Sequence, residues 1–128
     1  MNRYKFFILS LTLICVASLS AKDYYATDFG VIADGKTLNT NSIQKGIDFV
    51  NKLGGGRLVF TAGNYLTGSI YLKSNVTLHL EEGATLLGST NPWDYEKDSY
   101  IHWMSMIFAV KQQNIGITGK GTINGRGF

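Results

Sequence analysis

The chain has 128 residues, with 12 basic side chains against 9 acidic ones, 15 glycines and one cysteine. That length allows one small domain, and a lone cysteine excludes any disulfide within the chain. Leaving out Arg3 and Lys5, ten basic side chains face nine acidic ones and no Lys/Arg block remains, so the electrostatic footprint of a nucleic-acid binder is missing.

The first segment predicts export. Arg3 and Lys5 precede an uncharged run over residues 6–17, and the small residues Ser18, Ser20 and Ala21 follow before Lys22. The run falls short of the roughly 20 apolar residues of a spanning helix. It has the pattern of a secretory signal peptide over residues 1–21, cut near Ser20 or Ala21. Cys15 lies inside the run, after Ile14 rather than the small residue that a lipoprotein-processing site requires. The processed chain, residues 22–128, is therefore expected to lack cysteine, thiolate metal sites and any stable membrane insertion.

From residue 42 to about 53, Ile43, Ile47, Val50 and Leu53 recur at helical spacing along one face, which predicts a short amphipathic helix. Asn41 and Gln44 stand three apart, as in a capping box. Gly54, Gly55 and Gly56 then supply the positive φ that a helix C-terminus favours.

Beyond the glycines the pattern becomes short β-branched and apolar runs at 57–60, 65–66, 70–72, 76–80 and 85–87, which predict strands joined by tight turns. In the fourth run Val76, Leu78 and Leu80 point one way, Thr77 and His79 the other. Residues 89–106 hold the only proline, Pro92, with Trp93, Tyr95, Tyr100, His102 and Trp103, and read as a long excursion loop. Strands are predicted again at 107–110, 115–118 and 122–124.

A weak internal repeat joins the two groups of strands. Asn75-Val76-Thr77-Leu78 returns as Asn114-Ile115-Gly116-Ile117, and the run from Gly83 to Gly88 returns around Thr122-Ile123-Asn124-Gly125. Strand–turn–strand units repeated without helices suggest a solenoid of stacked coils, although a sandwich also alternates strands and turns. A terminal coil needs a cover on its outer side, and the 41–53 helix is suited to be that cover.

With these segments assembled, the chain resembles the N-terminal region of glycoside hydrolase family 28, the polygalacturonases and related pectinases. The segment from Asp28 to Gly35 is similar to the opening turn of pectate-lyase-like β-helices generally. More selective is the stretch from Gly63-Asn64-Tyr65-Leu66-Thr67-Gly68-Ser69 to Leu78-His79-Leu80-Glu81, similar to the family almost residue for residue, continued by Gly83-Ala84, Leu87-Gly88-Ser89 and the run from Ile117 to Gly125. Departures occur at Thr61, where a proline is usual, and at Leu38-Asn39, where an acidic residue is common before Thr40.

The resemblance implies an all-β fold: a right-handed parallel β-helix of the pectin-lyase kind with a short N-terminal capping helix, of which this chain supplies the first coils. It implies inverting hydrolysis of α-linked galacturonic acid in a pectic or related uronic-acid polymer, by a monomeric bacterial enzyme in the periplasm or outside the cell, with no cofactor. Inversion needs carboxyl groups roughly 6.5–9.5 Å apart. In the family these sit on Asn-x-Asp and Asp-Asp motifs, accompanied by a His-Gly pair and an Arg-x-Lys.

None of these motifs occurs in residues 22–128, where the run Asn39-Thr40-Asn41 ends in an amide. No catalytic residue is therefore assigned, the substrate-binding residues stay unassigned, and the catalytic coils are expected beyond Phe128. This chain alone is expected to be inactive. A pectate lyase or epimerase on the same fold, or a non-catalytic glycan-binding β-helix, are the alternatives.

The remaining polar residues have ordinary readings. Asp28 and Asp34 fit turn chemistry. Glu81 and Glu82 are adjacent on a strand end, so they face opposite ways and are expected in solvent. His79 fits a polar sheet face, and His102 has no second histidine at ligand spacing, so no metal site is expected. Trp93, Tyr95, Tyr100 and Trp103 either stack on sugar rings or anchor the loop, the favoured reading being anchoring. Gly119, Gly121, Gly125 and Gly127 form no phosphate-cradling pattern. Asn75-Val76-Thr77 matches a glycosylation sequon, of doubtful use in a bacterial chain.

Overall fold

A computed structural model describes residues 22–96 and 105–126. The segment read as a signal peptide, and Tyr100, His102, Trp103 and Gly127, lie outside the described residues. Among the described residues, nine strands and one α-helix follow in the order β1 (Asp23–Tyr25), α1 (Thr40–Lys52), β2 (Gly56–Phe60), β3 (Gly63–Thr67), β4 (Ile70–Tyr71), β5 (Val76–Leu80), β6 (Ala84–Gly88), β7 (Ile107–Phe108), β8 (Gly116–Gly119) and β9 (Thr122–Asn124). Short 3-10 turns occupy Ala26–Phe29 and Pro92–Asp94.

Every strand pair is parallel, and the pairs form three sheets in the orders β1-β2-β5-β8, β3-β6-β9 and β4-β7. Strands consecutive in the chain therefore lie in different sheets, and the hydrogen-bonded neighbour of each is the strand one coil away. This is a right-handed parallel β-helix seen at its first coils. An antiparallel sandwich, the other architecture compatible with strands and turns, is excluded.

The register accounts for the repeat in the sequence. β2 pairs with β5 so that Leu58 faces Leu78 and Phe60 faces Leu80, and β5 pairs with β8 so that Leu78 faces Ile117. In the second sheet Tyr65, Leu86 and Ile123 occupy successive coils. The repeated segments are thus the same positions of neighbouring coils. Asn75 and Asn114 begin the unit in the left-handed backbone region, at φ 67° and 54°. Asparagine tolerates that region better than other non-glycine residues, and here the Asn114 Nδ2 also donates to Asn75 Oδ1 at 3.2 Å. In the preceding coil the turn holds Gly55 at φ 114°, where a Cβ would lie 2.5 Å from the Asn75 carbonyl oxygen.

Inward-facing side chains fill the coil. Leu58, Phe60, Ile70, Val76, Leu78 and Leu86 are at most 0% exposed, and Tyr65 packs edge-on against Phe60 with ring centroids 5.2 Å apart. α1 closes the N-terminal end, burying Ile43, Ile47 and Val50 against this cluster. Gly46 allows the close approach of α1, since a Cβ there would meet Leu58 at 3.1 Å and Phe29 at 3.2 Å.

The helix start differs from the expected capping box. α1 begins at Thr40, so Asn41 lies inside it, and no side chain caps its N-terminus. The Gln44 side chain is drawn instead to the third sheet: its Nε2 donates to the Tyr71 carbonyl at 2.9 Å and its Oε1 accepts from the Tyr71 N–H at 2.7 Å. Asn39, just before the helix and 1% exposed, pairs in the same two-way manner with Ile32, accepting from its N–H and donating to its carbonyl at 2.8 Å each. An ionised acid at position 39 could accept the first bond but not donate the second.

β8 and β9 form the last described layer, where Ile115, Ile117 and Ile123 are 36%, 41% and 42% exposed. Leu78 has apolar partners in both neighbouring coils, whereas among the described residues Ile117 has one only in β5. Leu78→Ala is expected to destabilise the chain by about 2–5 kcal/mol, and Ile117→Ala by distinctly less. Urea denaturation of both variants, followed by circular dichroism, checks the difference.

Candidate functional site

Two acidic residues of the first coils, Asp23 and Asp34, are engaged in structure. Asp23, on the edge strand β1, receives a bidentate pair from Arg57, Nε to Oδ1 at 2.7 Å and Nη2 to Oδ2 at 2.8 Å. The Arg57 hydrogen bond holds the Asp23 carboxyl below its ordinary range, and the same bond raises Arg57. More than a third of each side chain is exposed to solvent, so the pair adds little to stability. Its main effect is to fasten a three-residue strand to its neighbour.

The line continues across the sheet. Arg57 Nη1 lies 3.3 Å from His79 Nδ1, and that nitrogen lies 2.7 Å from Thr118 Oγ1 in the next coil. His79 thus sits on the polar face of the sheet, as its alternation with Val76, Leu78 and Leu80 predicts.

Asp34 is spent on a turn. Its Oδ1 accepts from the N–H of Lys36 at 2.9 Å and of Thr37 at 2.8 Å, while Oδ2 accepts from the Thr37 hydroxyl at 2.7 Å. These bonds, the Thr37 N–H foremost, lower its carboxyl from the usual 3.8 to about 2. Asp28 lies in the first 3-10 turn, and Glu81 and Glu82 are exposed at the turn after β5. Among the described residues no group of three or more His, Cys, Asp or Glu side chains could hold a metal ion.

The densest polar cluster lies where the excursion leaves β6 and returns before β7. Ser69, 4% exposed, accepts from the Glu96 N–H at 2.9 Å and donates to the Ser105 carbonyl at 2.6 Å. One hydroxyl therefore holds both ends of the segment 97–104. The outgoing limb is further fixed by Ser89, whose Oγ donates to the Asp94 carboxylate and accepts from the Asn91 N–H. Tyr95 is buried and donates to the Ser89 carbonyl at 2.6 Å. Burial raises the Tyr95 phenol above its ordinary value.

Tyr95 anchors the loop as expected, and Trp93 is far more exposed. Trp93, in the 3-10 turn, is 80% exposed, whereas Tyr95, in the extended residue after it, donates to the Ser89 carbonyl. Sequence reasoning missed Ser69 and Ser89 altogether. Their signal is weak: each is a serine just after a strand, and their partners lie 27 and 36 residues away for Ser69 and 5 and 6 residues away for Ser89.

No family model matches the sequence. Over 118 residues the chain is 41% identical to an exo-poly-alpha-D-galacturonosidase of Dickeya chrysanthemi, an alignment covering 80% of this chain and 19% of that protein. Its fold superposes on the family 28 exopolygalacturonase of Yersinia enterocolitica with a TM-score of 0.70 and 40% identity, covering 81% of this chain and 21% of the enzyme. By sequence and by fold, the chain is similar to the opening part of family 28 exopolygalacturonases.

This polygalacturonase relative spans about a fifth of the length of both those proteins. It also superposes on a protein of Parabacteroides merdae provisionally described as a glycosyl hydrolase, with a TM-score of 0.76 and 51% identity over 82% of this chain and 45% of that one. A shorter stretch of 81 residues is 35% identical to alginate lyase 7 of Azotobacter vinelandii, covering 56% of this chain and 10% of that protein.

Two outcomes follow from the site. Ser69→Ala is expected to cost about 1–3 kcal/mol by leaving the Glu96 N–H and Ser105 carbonyl without their shared partner, and to speed cleavage between residues 96 and 105 in limited proteolysis. Asp34 has a depressed carboxyl, so its contribution to stability is present above the usual 3.8 and is lost as pH falls from there to about 2. Asp34→Asn should flatten stability across that window and leave its shape at neutral pH unchanged, as read from urea midpoints at successive pH values.

Proposed function

We propose that residues 22–128 are the cap and first coils of a secreted glycoside hydrolase that cleaves α-linked galacturonic acid in pectin with inversion. The observation that carries this reading is the joint likeness, in sequence and fold, to two exopolygalacturonases. The disposition of the carboxylates agrees with it. Asp23, Asp34 and Asp94 are each committed to a local partner, so the acid and base pair that inversion requires is assigned to coils following those described here. Residues 22–128 by themselves are inactive on this reading, and the hydrolase acts as a monomer without a cofactor.

Export rests on Arg3, Lys5 and the uncharged run before Ser18. Among the described residues no helix is long and apolar enough to cross a membrane. The protein is proposed to work in the periplasm or outside the cell, cut near Ser20 or Ala21.

A second reading is a uronate lyase or epimerase on the same scaffold, favoured by the alginate lyase 7 match. The two readings differ in their products. The gene product is expected to release reducing ends from polygalacturonate with the anomeric configuration inverted in proton NMR, without unsaturated uronate and without a calcium requirement, while residues 22–128 alone release none. Unsaturated, calcium-dependent product would replace the first reading with the second.

A further inference from the structure

Asp34 and Gly35 are the only Asp-Gly pair in the sequence, and such a pair carries a covalent chemistry of its own. The Gly nitrogen can attack the carboxyl carbon of the Asp side chain. An N–Cγ bond forms and a Cγ–O bond breaks, and that oxygen leaves as water with the proton of the neutral carboxyl and the proton of the amide. A second water then opens the succinimide at its main-chain carbonyl, leaving an isoaspartate whose main chain runs through the former side chain. Glycine favours the first step because no Cβ hinders its nitrogen.

The fold engages both groups that this step needs. The Gly35 N–H donates to the Asn64 carbonyl at 2.9 Å, within a parallel bridge between Asp34 and Asn64. A Cβ at residue 35 would lie 3.4 Å from the Asn64 Cβ, so the main chain here rests against β3. The Asp34 carboxylate is held by the N–H groups of Lys36 and Thr37 and by the Thr37 hydroxyl, at 2.7–2.9 Å. Hydrogen bonds of this kind favour the charged form, and they keep the carboxyl at about 2 against the usual 3.8. The neutral acid that cyclisation consumes is therefore scarce in the folded chain, and the nucleophile is already bound.

We propose that Asp34-Gly35 is a latent isoaspartate site, reactive while the chain is unfolded and shut by the turn at residues 34–37 once the first coil has formed. An isomerised chain cannot rebuild that turn. It gains one main-chain carbon between Ile32, paired both ways with Asn39, and Gly35, held on Asn64. Its carboxylate moves to the α-carbon and leaves the Thr37 hydroxyl without its partner. Time spent unfolded, rather than age in the folded state, is what the chain records at this position.

Incubating the gene product at mildly acidic pH, native and in urea, tests the site. Isoaspartate at position 34 is read by peptide mapping with electron-transfer fragmentation, which also separates it from products of Asn124-Gly125. It is expected to form about tenfold or more faster in urea, because lowering a carboxyl by about one pH unit already makes its neutral form about tenfold scarcer. Thr37→Ala removes the hydroxyl from Oδ2 and should speed the native reaction about threefold or more, measured relative to the same variant in urea. Thr37→Ser keeps the hydroxyl and should return the parent's ratio. Equal rates in the native and urea-unfolded protein, or a Thr37→Ala ratio no higher than that of Thr37→Ser, would overturn the site. Polygalacturonate hydrolysis plays no part in the readout, so the pectin reading can fail while this one stands.

Discussion

Parallel stacking in register is the constraint on which the rest of the structure depends. Each inward side chain has its counterpart directly above or below it, as Leu58, Leu78 and Ile117 do in the first sheet and Tyr65, Leu86 and Ile123 in the second. A coil has no core of its own, because its buried residues are covered by those of its neighbours. The helix α1 solves the same problem where the stack begins, by laying Ile43, Ile47 and Val50 over the first coil. Turns are then constrained less by sequence than by stacking, which is how Gly55, Asn75 and Asn114 come to share one corner.

Much of this fold is legible in the sequence because a solenoid writes its register as a repeat. The segment beginning at Asn75 and its copy at Asn114 are the paired residues of β5 and β8, and Thr85-Leu86-Leu87 is paired with Thr122-Ile123-Asn124 in the same alignment. What escaped reading depends on distant partners. The strand Asp23–Tyr25 is too short and polar to announce itself, and acquires its conformation from Arg57. The start of α1 shifted because Gln44 finds Tyr71, 27 residues on, a better partner than its own helix end. Local pattern carries no trace of such a choice.

The corner after β6 was visible only as a cluster of aromatic residues. Which ring turns inward was decided by a hydroxyl: the phenol of Tyr95 can satisfy the Ser89 carbonyl and be buried, while the indole two residues earlier is placed outside. The turn role of Asp34 and the solvent exposure of Glu81 and Glu82 match their reading from the sequence. The cap and first coils carry the likeness, and a shared scaffold does not by itself fix a reaction.

The double bond made by Ser69 has a consequence for how such proteins diversify. Since one buried hydroxyl binds the strand-side residues Glu96 and Ser105 together, the solenoid perceives the excursion as a closed circuit of fixed span whatever lies between them. Loop closure grows costly only slowly with length. Descendants of this chain are therefore free to lengthen, shorten or rewrite residues 97–104 without disturbing the alignment of β6 with β9 or of β4 with β7, and the clasp turns this edge of the scaffold into a place where new surfaces are acquired by insertion.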